Sequence, residues 1–181
     1  EPVYRVEQVR HAVYRTPTTA FDKIQTLPAA MRVLLGCQFR YEALEAVRSE
    51  MSQDGTQKTL FRASDGAAVE TVQMLTERSD ATTICLSSQS GCGMGCRFCA
   101  TGNIGLTRNL TSGEIVDQFL YFRRRSKVSR VPDRAVFMGM GEPLANLSAL
   151  EPAVRALVDP SRVGLGARRV TISTVGLPKG I

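Results

Sequence analysis

Residues 82–102 read TTICLSSQSGCGMGCRFCATG, and the fold turns on how this stretch divides. TTICLSS, residues 82–88, predicts a β-strand. The loop behind it carries Cys92, Cys96 and Cys99 as a Cys-x3-Cys-x2-Cys triplet interleaved with Gly91, Gly93 and Gly95. Three thiolates on a short, glycine-loosened loop can converge on one soft metal centre. A structural zinc site normally closes with four protein ligands, and no second Cys or His pair lies at a suitable spacing; the one histidine, His11, belongs to another part of the chain. Three thiolates with one open position instead suit a 4Fe-4S cluster whose unique iron is free to bind substrate.

Downstream of the loop the pattern alternates strand and helix. A helix is expected from Thr111, which stands at capping-box spacing from Glu114, with Ile115, Val116, Phe119 and Leu120 as its apolar stripe. A second strand, RAVFMGM at 134–140, runs into GEPLAN; a helix through Leu150, Val154 and Leu157 follows; RRVTIST at 168–174 is the third strand. Strand-helix-strand-helix-strand implies an α/β fold with a parallel sheet and crossover helices.

Upstream, Asp54-Gly55 and Asp65-Gly66 separate runs such as QKTLFRAS and AAVETVQML, the turn chemistry of hairpins, so residues 41–78 predict a small antiparallel sheet. Residues 1–40 read as a helical module: Val6, Val9, Val13 and Tyr14 recur at helical spacing, Phe21, Ile24 and Leu27 repeat it, and Pro28 opens a third apolar stretch. Cys37, in that stretch, is expected in the core. Residues 79–181 then hold the first three β/α units of a barrel. The chain stops at VGLPKGI, shortly after the third strand. A parallel sheet of three strands would leave a buried-type edge open to water, so the expectation is a fragment of a longer barrel.

With 181 residues, 43% of them hydrophobic and 22% charged, disordered, collagenous and coiled-coil classes are excluded. No apolar run approaches a membrane span and the N-terminus lacks a secretory layout, so the expected location is cytoplasmic, without a membrane partner. An odd count of five cysteines fits thiol or metal chemistry better than a disulfide framework. A net charge of +6 and a pI near 9.4 favour anionic partners. The excess clusters at Arg123, Arg124, Arg125, Lys127 and Arg130 and again at Arg162, Arg168 and Arg169, a pattern that suits phosphate contacts or, equally, solvated helix ends.

Parallel strands deliver functional residues at their C-terminal ends. At the second strand end stands Gly139-Met140-Gly141-Glu142-Pro143, where Glu142 could hold a ligand amino group; at the third, Ser173 could reach a ribose or carboxylate.

The triplet is the radical S-adenosylmethionine (SAM) signature. The longer matches CLSSQSGCGMGCRFCATGNIGLTRNLTSGEI, FMGMGEPLAN and RRVTIST, with EPVYRVEQ, the DGTQK turn and VETV, resemble the RlmN/Cfr family of 23S ribosomal RNA adenosine methyltransferases over essentially the whole chain. The resemblance implies a partial radical SAM (βα) barrel in which Cys92, Cys96 and Cys99 ligate the cluster and Gly141, Glu142 and Ser173 contact SAM. It implies Glu70, in VETV, as proton acceptor and Cys85 as the cysteine that helps resolve a covalent enzyme–RNA intermediate. The implied reaction methylates a ring carbon of adenosine, carbon 2 or carbon 8, through a methylated cysteine, with an external electron donor and with transfer RNA as a further candidate substrate. That cysteine belongs to the family's C-terminal half, so these 181 residues alone are expected not to complete methylation. Two alternatives are another radical SAM enzyme, such as an activase, and a non-catalytic RNA-binding module whose cysteines hold a structural metal.

Overall fold

Both Asp-Gly pairs close hairpins, and each aspartate locks its own turn. In the computed structural model, which describes residues 2–76, 81–126 and 131–178, Asp54 accepts from the Thr56 N–H at 3.0 Å and Asp65 from the Ala67 N–H at 3.1 Å. Gly55 and Gly66 take the left-handed conformation that follows. The turns join β1 (Leu44–Met51), β2 (Gln57–Ala63) and β3 (Ala68–Leu75) into an antiparallel meander.

The meander is not a separate sheet. β3 pairs antiparallel with β4 (Thr82–Cys85), Val72 opposite Cys85, and β4 pairs in parallel with β7 (Arg134–Phe137), which pairs in parallel with β8 (Val170–Ile172). One six-stranded mixed sheet results, in the order β1-β2-β3-β4-β7-β8. The sequence expectation placed the boundary between hairpin sheet and β/α units at 78/79, which lies outside the described residues; hydrogen bonding runs across from β3 to β4 on either side of it.

Between β4 and β7 the chain forms β5 (Gln89–Gly91), α3 (Ala100–Ile104), β6 (Leu106–Asn109) and α4 (Ser112–Arg125), and between β7 and β8 it forms α5 (Leu147–Val158). The Thr111/Glu114 capping box is present at the start of α4, each side chain meeting the other's backbone N–H. Helices α4 and α5 cover one face of the sheet. Ile84, Ala135 and Phe137 from the sheet interleave there with Ile115, Phe119, Leu150 and Leu157, all fully buried or nearly so. Each large side chain withdrawn from water there contributes about 1.5–3 kcal/mol before entropy is counted.

A second, smaller core lies in the N-terminal module. There α1 (Val3–Arg15), a 3-10 turn (Phe21–Lys23) and α2 (Ala29–Gln38) bury Ala12, Phe21, Ile24 and Leu27. The third apolar stretch is less enclosed than its composition predicts. In α2 only Met31 and Leu35 pack against this core, while Val33 and Leu34 are exposed and Cys37, expected inside, lies on the surface. A ten-residue helix resting on so small a core has one face to bury, and Cys37 is on the other.

Candidate active site

The site assembles where β4, β7 and β8 end and β3 begins, around a chain of close backbone approaches. After Cys85 the strand leaves its ladder but stays near the turn after β7: Leu86 N–H donates to Val136 O at 2.8 Å, Gly139 N–H to Leu86 O at 3.1 Å, and Ser88 N–H to Met140 O at 2.8 Å. The glycines of the Gly139-Met140-Gly141-Glu142 turn make this possible. A Cβ on Gly139 would stand 2.5 Å from Ser87 Oγ, and one on Gly141, whose φ is +97°, would stand 2.5 Å from Gln89 Cβ. Neither position has room for any side chain.

Three buried polar residues that composition and periodicity did not flag hold the junction. Ser87 donates its hydroxyl to Glu70 O at 2.5 Å and accepts from Met140 N–H at 2.8 Å, linking β3 to the β7 turn. Gln118 of α4 accepts from Ser87 N–H and from the Thr71 hydroxyl, and donates to Ser87 O. Asn146 donates from one amide nitrogen to Ser88 O and Leu110 O, both at 2.8 Å. A buried amide has no hydropathy signature; the signal available in the sequence was a glutamine in the apolar stripe of α4, where an unpaired amide would be costly.

The cysteine loop leaves this junction as the hairpin β5–β6, which the sequence reading did not separate from the loop. Gly91, φ +74°, lies so close to β6 that an added Cβ would fall 1.9 Å from Gly105 O. The following Cys92 N–H donates to that same carbonyl at 2.9 Å. Cys96 and Cys99 stand one turn apart, Cys99 N–H donating to Cys96 O at 3.0 Å, and Gly102 packs against the Cys96 backbone at a distance only glycine permits without adjustment. The Gly102 N–H, with the Thr101 backbone and hydroxyl, holds the Cys99 thiol below its ordinary value. Cys92 is buried; Cys96 and Cys99 are partly open. The three thiols share one loop, but among the described residues no three His, Cys, Asp or Glu side chains are grouped as a metal site. The donor set and the glycine-cradled loop fit a thiolate-ligated cluster, which would draw the side chains together.

Glu142 is 3% exposed and its carboxylate accepts three hydrogen bonds from the protein. It accepts from Leu144 N–H at 3.0 Å, from the Thr174 hydroxyl at 2.6 Å and from Val175 N–H at 2.9 Å, so it ties the end of β7 to the segment after β8. Ser173, exposed at that strand end, donates its N–H to Phe137 O at 3.3 Å.

Glu70 and Cys85 share the sheet face that α4 and α5 leave uncovered, since Val72 faces Cys85 across β3–β4 and Glu70 lies two residues before it. Lys58 Nζ stands 3.2 Å from the half-exposed Glu70 carboxylate. Burial raises the Cys85 thiol above its ordinary value, opposed in part by the Met138 backbone N–H.

The basic clusters are largely engaged within the protein. Arg123 donates to Val163 O, Arg124 pairs with Asp117 at 3.0 Å, and Arg125 pairs with Glu42 at 3.0 Å while lying over the Tyr121 ring. Arg162 pairs with Asp159 and Arg169 with Asp133. Lys127 and Arg130 lie outside the described residues. Folding brings Val163, 40 residues on in sequence, against Arg123, and Asp117, two turns back on α4, against Arg124, so both guanidinium groups have partners within the protein. One opening of about 590 Å³ lies away from the strand ends, between the 3-10 turn and α2, lined by Phe21, Arg32 and Phe39 among others.

Known proteins share both the fold and the sequence. The crystal structure of a radical SAM methyltransferase from Sphaerobacter thermophilus superposes with a TM-score of 0.92 at 44% identity, covering 97% of this chain and 52% of that one. This chain therefore shares its fold with about half of a protein of the radical SAM methyltransferase class. Its sequence relatives narrow the class: a probable dual-specificity RNA methyltransferase RlmN from Gemmatimonas aurantiaca is 46% identical over 181 residues, all of this chain and 49% of the relative. The dual-specificity RNA methyltransferase RlmN of Campylobacter fetus is 41% identical over 194 aligned positions, 99% of this chain and 54% of the relative. Along its whole length the chain is a homologue of the RlmN methyltransferases, and it spans about half the length of the curated relatives it matches. No family model matches the chain.

Proposed function

We propose that these residues are the cluster- and SAM-binding part of an RNA methyltransferase that modifies a ring carbon, carbon 2 or carbon 8, of an adenosine in 23S rRNA, with transfer RNA as a second substrate. The single observation that carries the reading is a glycine-cradled loop bearing three thiols whose base, at Gln89, is hydrogen-bonded to the Met140–Glu142 turn, in a chain similar to RlmN proteins throughout. In this reading the three parallel strands and their helices are the first units of a (βα) barrel, residues 1–40 form an accessory module, and the enzyme works in the cytoplasm. Among the described residues no helix is long and apolar enough to cross a membrane.

Cys92, Cys96 and Cys99 hold the 4Fe-4S cluster. When bound and reduced by an external donor, the cluster supplies the electron for reductive SAM cleavage, the radical route needed because an sp2 ring carbon is a poor nucleophile for direct methyl transfer. Gly141 lets the backbone approach SAM, and Ser173 presents a hydroxyl at the next strand end. The Glu142 carboxylate keeps the two strand ends in place, so contacts to SAM at this turn fall to the backbone. Glu70, beside Lys58 on the uncovered face, takes the proton lost from the adenine ring, and Cys85 on the same face serves in release of the product. The methyl-carrying cysteine lies outside these 181 residues, so the isolated chain binds cofactor without completing transfer.

A chimaera joining this chain to the complementary half of the Gemmatimonas relative tests the reading. Incubated with iron, sulfide, reductant, isotopically labelled SAM and 23S rRNA, it should yield labelled methyladenosine, assigned to carbon 2 or carbon 8 by nucleoside mass spectrometry. The isolated chain should yield none. A cluster-loaded chimaera that leaves RNA unlabelled would contradict the proposal.

A further inference from the structure

We infer that Gln89 is a positioning residue that fixes the cysteine loop relative to the Gly141-Glu142 turn. The inference rests on the proposed reading of that loop as the cluster site and that turn as a SAM contact.

Gln89 opens β5, three residues before Cys92, and is 2% exposed. Its Oε1 accepts from Glu142 N–H at 2.8 Å, and its Nε2 donates to Asn109 Oδ1 at 2.7 Å. Chemistry sets the orientation of this amide: a backbone N–H only donates, so the carboxamide must turn its oxygen toward Glu142 and its nitrogen toward Asn109. Gln89 also donates its own backbone N–H to Met140 O at 3.2 Å, and its Cβ fills the space in front of Gly141.

One side chain thus touches both partners of the proposed reaction centre. On one side, Asn109 sits directly opposite Gln89 in the β5–β6 pairing, so the amide contact fixes the hairpin from which the cysteine loop extends. On the other, Glu142 continues the connection through its carboxylate to Thr174 and Val175 beyond β8. Asn109, Gln89, Glu142 and Thr174 form a continuous run of hydrogen bonds across the hairpin, the β7 turn and the β8 end. An apolar residue of the same size would fill the space but hold neither element, and the Glu142 N–H would be left without its partner. A displaced turn need not disturb the thiols, because their loop is held separately by Gly91 and Cys92 against Gly105. Cluster loading and SAM docking therefore separate: loss of the Gln89 amide should spare the first and weaken the second.

The test uses the anaerobically reconstituted chain and three variants, Gln89→Leu, Asn109→Ala and their double. Iron and sulfide content gives cluster loading, and the electron paramagnetic resonance (EPR) spectrum of the reduced cluster, titrated with SAM, gives cofactor affinity and geometry. Each variant should load cluster as the parent does. SAM affinity should fall about tenfold in Gln89→Leu and about threefold in Asn109→Ala, with an altered SAM-bound spectrum, and the double variant should be no worse than Gln89→Leu alone. Parent-like SAM affinity and spectrum in Gln89→Leu, or additive losses in the double variant, would overturn the inference. If Gln89→Leu does not fold, Asn109→Ala decides by the same criterion, since its side chain is exposed and unneeded by the core. A parent chain that loads no cluster or ignores SAM would instead overturn the proposed function itself.

Discussion

A methyl group added at Gly91 has nowhere to go. The residue combines a left-handed backbone with a neighbouring carbonyl 1.9 Å from the would-be Cβ, so Gly91→Ala must either break the β5–β6 pairing or reverse its own φ. We expect Gly91→Ala to lose most cluster loading and to lower stability by about 1–3 kcal/mol, measured by iron content and urea unfolding. Gly93→Ala, two residues on, would meet only the Leu106 side chain at 3.7 Å and should load cluster normally. Equal behaviour of the two variants would contradict the geometry. At this scale the sequence was legible where backbone shape is written in residue type: the glycines interleaved with the cysteine triplet marked a loop, and Gly91 and Gly95 take the left-handed conformation there. It was not legible where function depends on orientation. The internal partners of Glu142 were hidden: its oxygens accept from Thr174 and Val175, 32 and 33 residues away, which only the β7–β8 crossover brings near. Gln89 and Ser87 carried no mark at all, because a buried amide or hydroxyl is recognised by its partners rather than by its neighbours in the chain, and Gln118 showed only as a glutamine within the apolar stripe of α4.

Among the elements, the hairpin β5–β6 depends on one arginine. Arg108 forms paired contacts with Asp65 at the β2–β3 turn and with Glu114 in the α4 capping box, so it fastens the cysteine hairpin to two other elements. Burial opposes charge on Glu114, but the Arg108 guanidinium and the Thr111 N–H outweigh it and hold the carboxyl below its ordinary range. Asp65, more exposed, is lowered chiefly by the same guanidinium. A carboxyl lowered by folding stabilises the folded state above its unfolded pKa and loses that contribution as the pH falls through its folded one. Thermal stability should therefore be flat near neutrality and decline below about pH 4, and Arg108→Met should lower the plateau while making the acid decline shallower. Parallel pH curves for parent and variant would contradict the assignment. The elements themselves were largely readable. The Asp-Gly turns marked both hairpins and Thr111 with Glu114 marked the start of α4, since each is a local hydrogen-bonding motif. Strands β5 and β6 were not, because SQSG and LTRN have neither alternation nor an apolar run; tertiary contacts to Gly105, Asn109 and Asp65 make them strands.

For the whole molecule, the sequence predicted N-terminal helices, antiparallel strands and then alternating strands and helices, and hid their joining. Composition and periodicity separated a helical module, a meander and a set of β/α units, but pairing between β3 and β4 has a register that neither strand announces, and it makes the meander and the parallel strands one sheet. That continuity puts Glu70 of the meander and Cys85 of the first parallel strand on one uncovered face. The partners of the arginine clusters were hidden for a related reason: net charge is a property of composition, whereas the pairing of Arg124 with Asp117 and Arg125 with Glu42 is a property of the fold. On the proposed function, Cys92, Cys96 and Cys99 hold a 4Fe-4S cluster with one iron open to SAM. Anaerobic reconstitution with iron and sulfide, followed by EPR of the reduced protein with and without SAM, tests it most directly, with Cys96→Ala as the control. The account predicts a 4Fe-4S signal that shifts when SAM is added and is absent from Cys96→Ala. Bound zinc in place of iron, or a cluster signal indifferent to SAM, would contradict it.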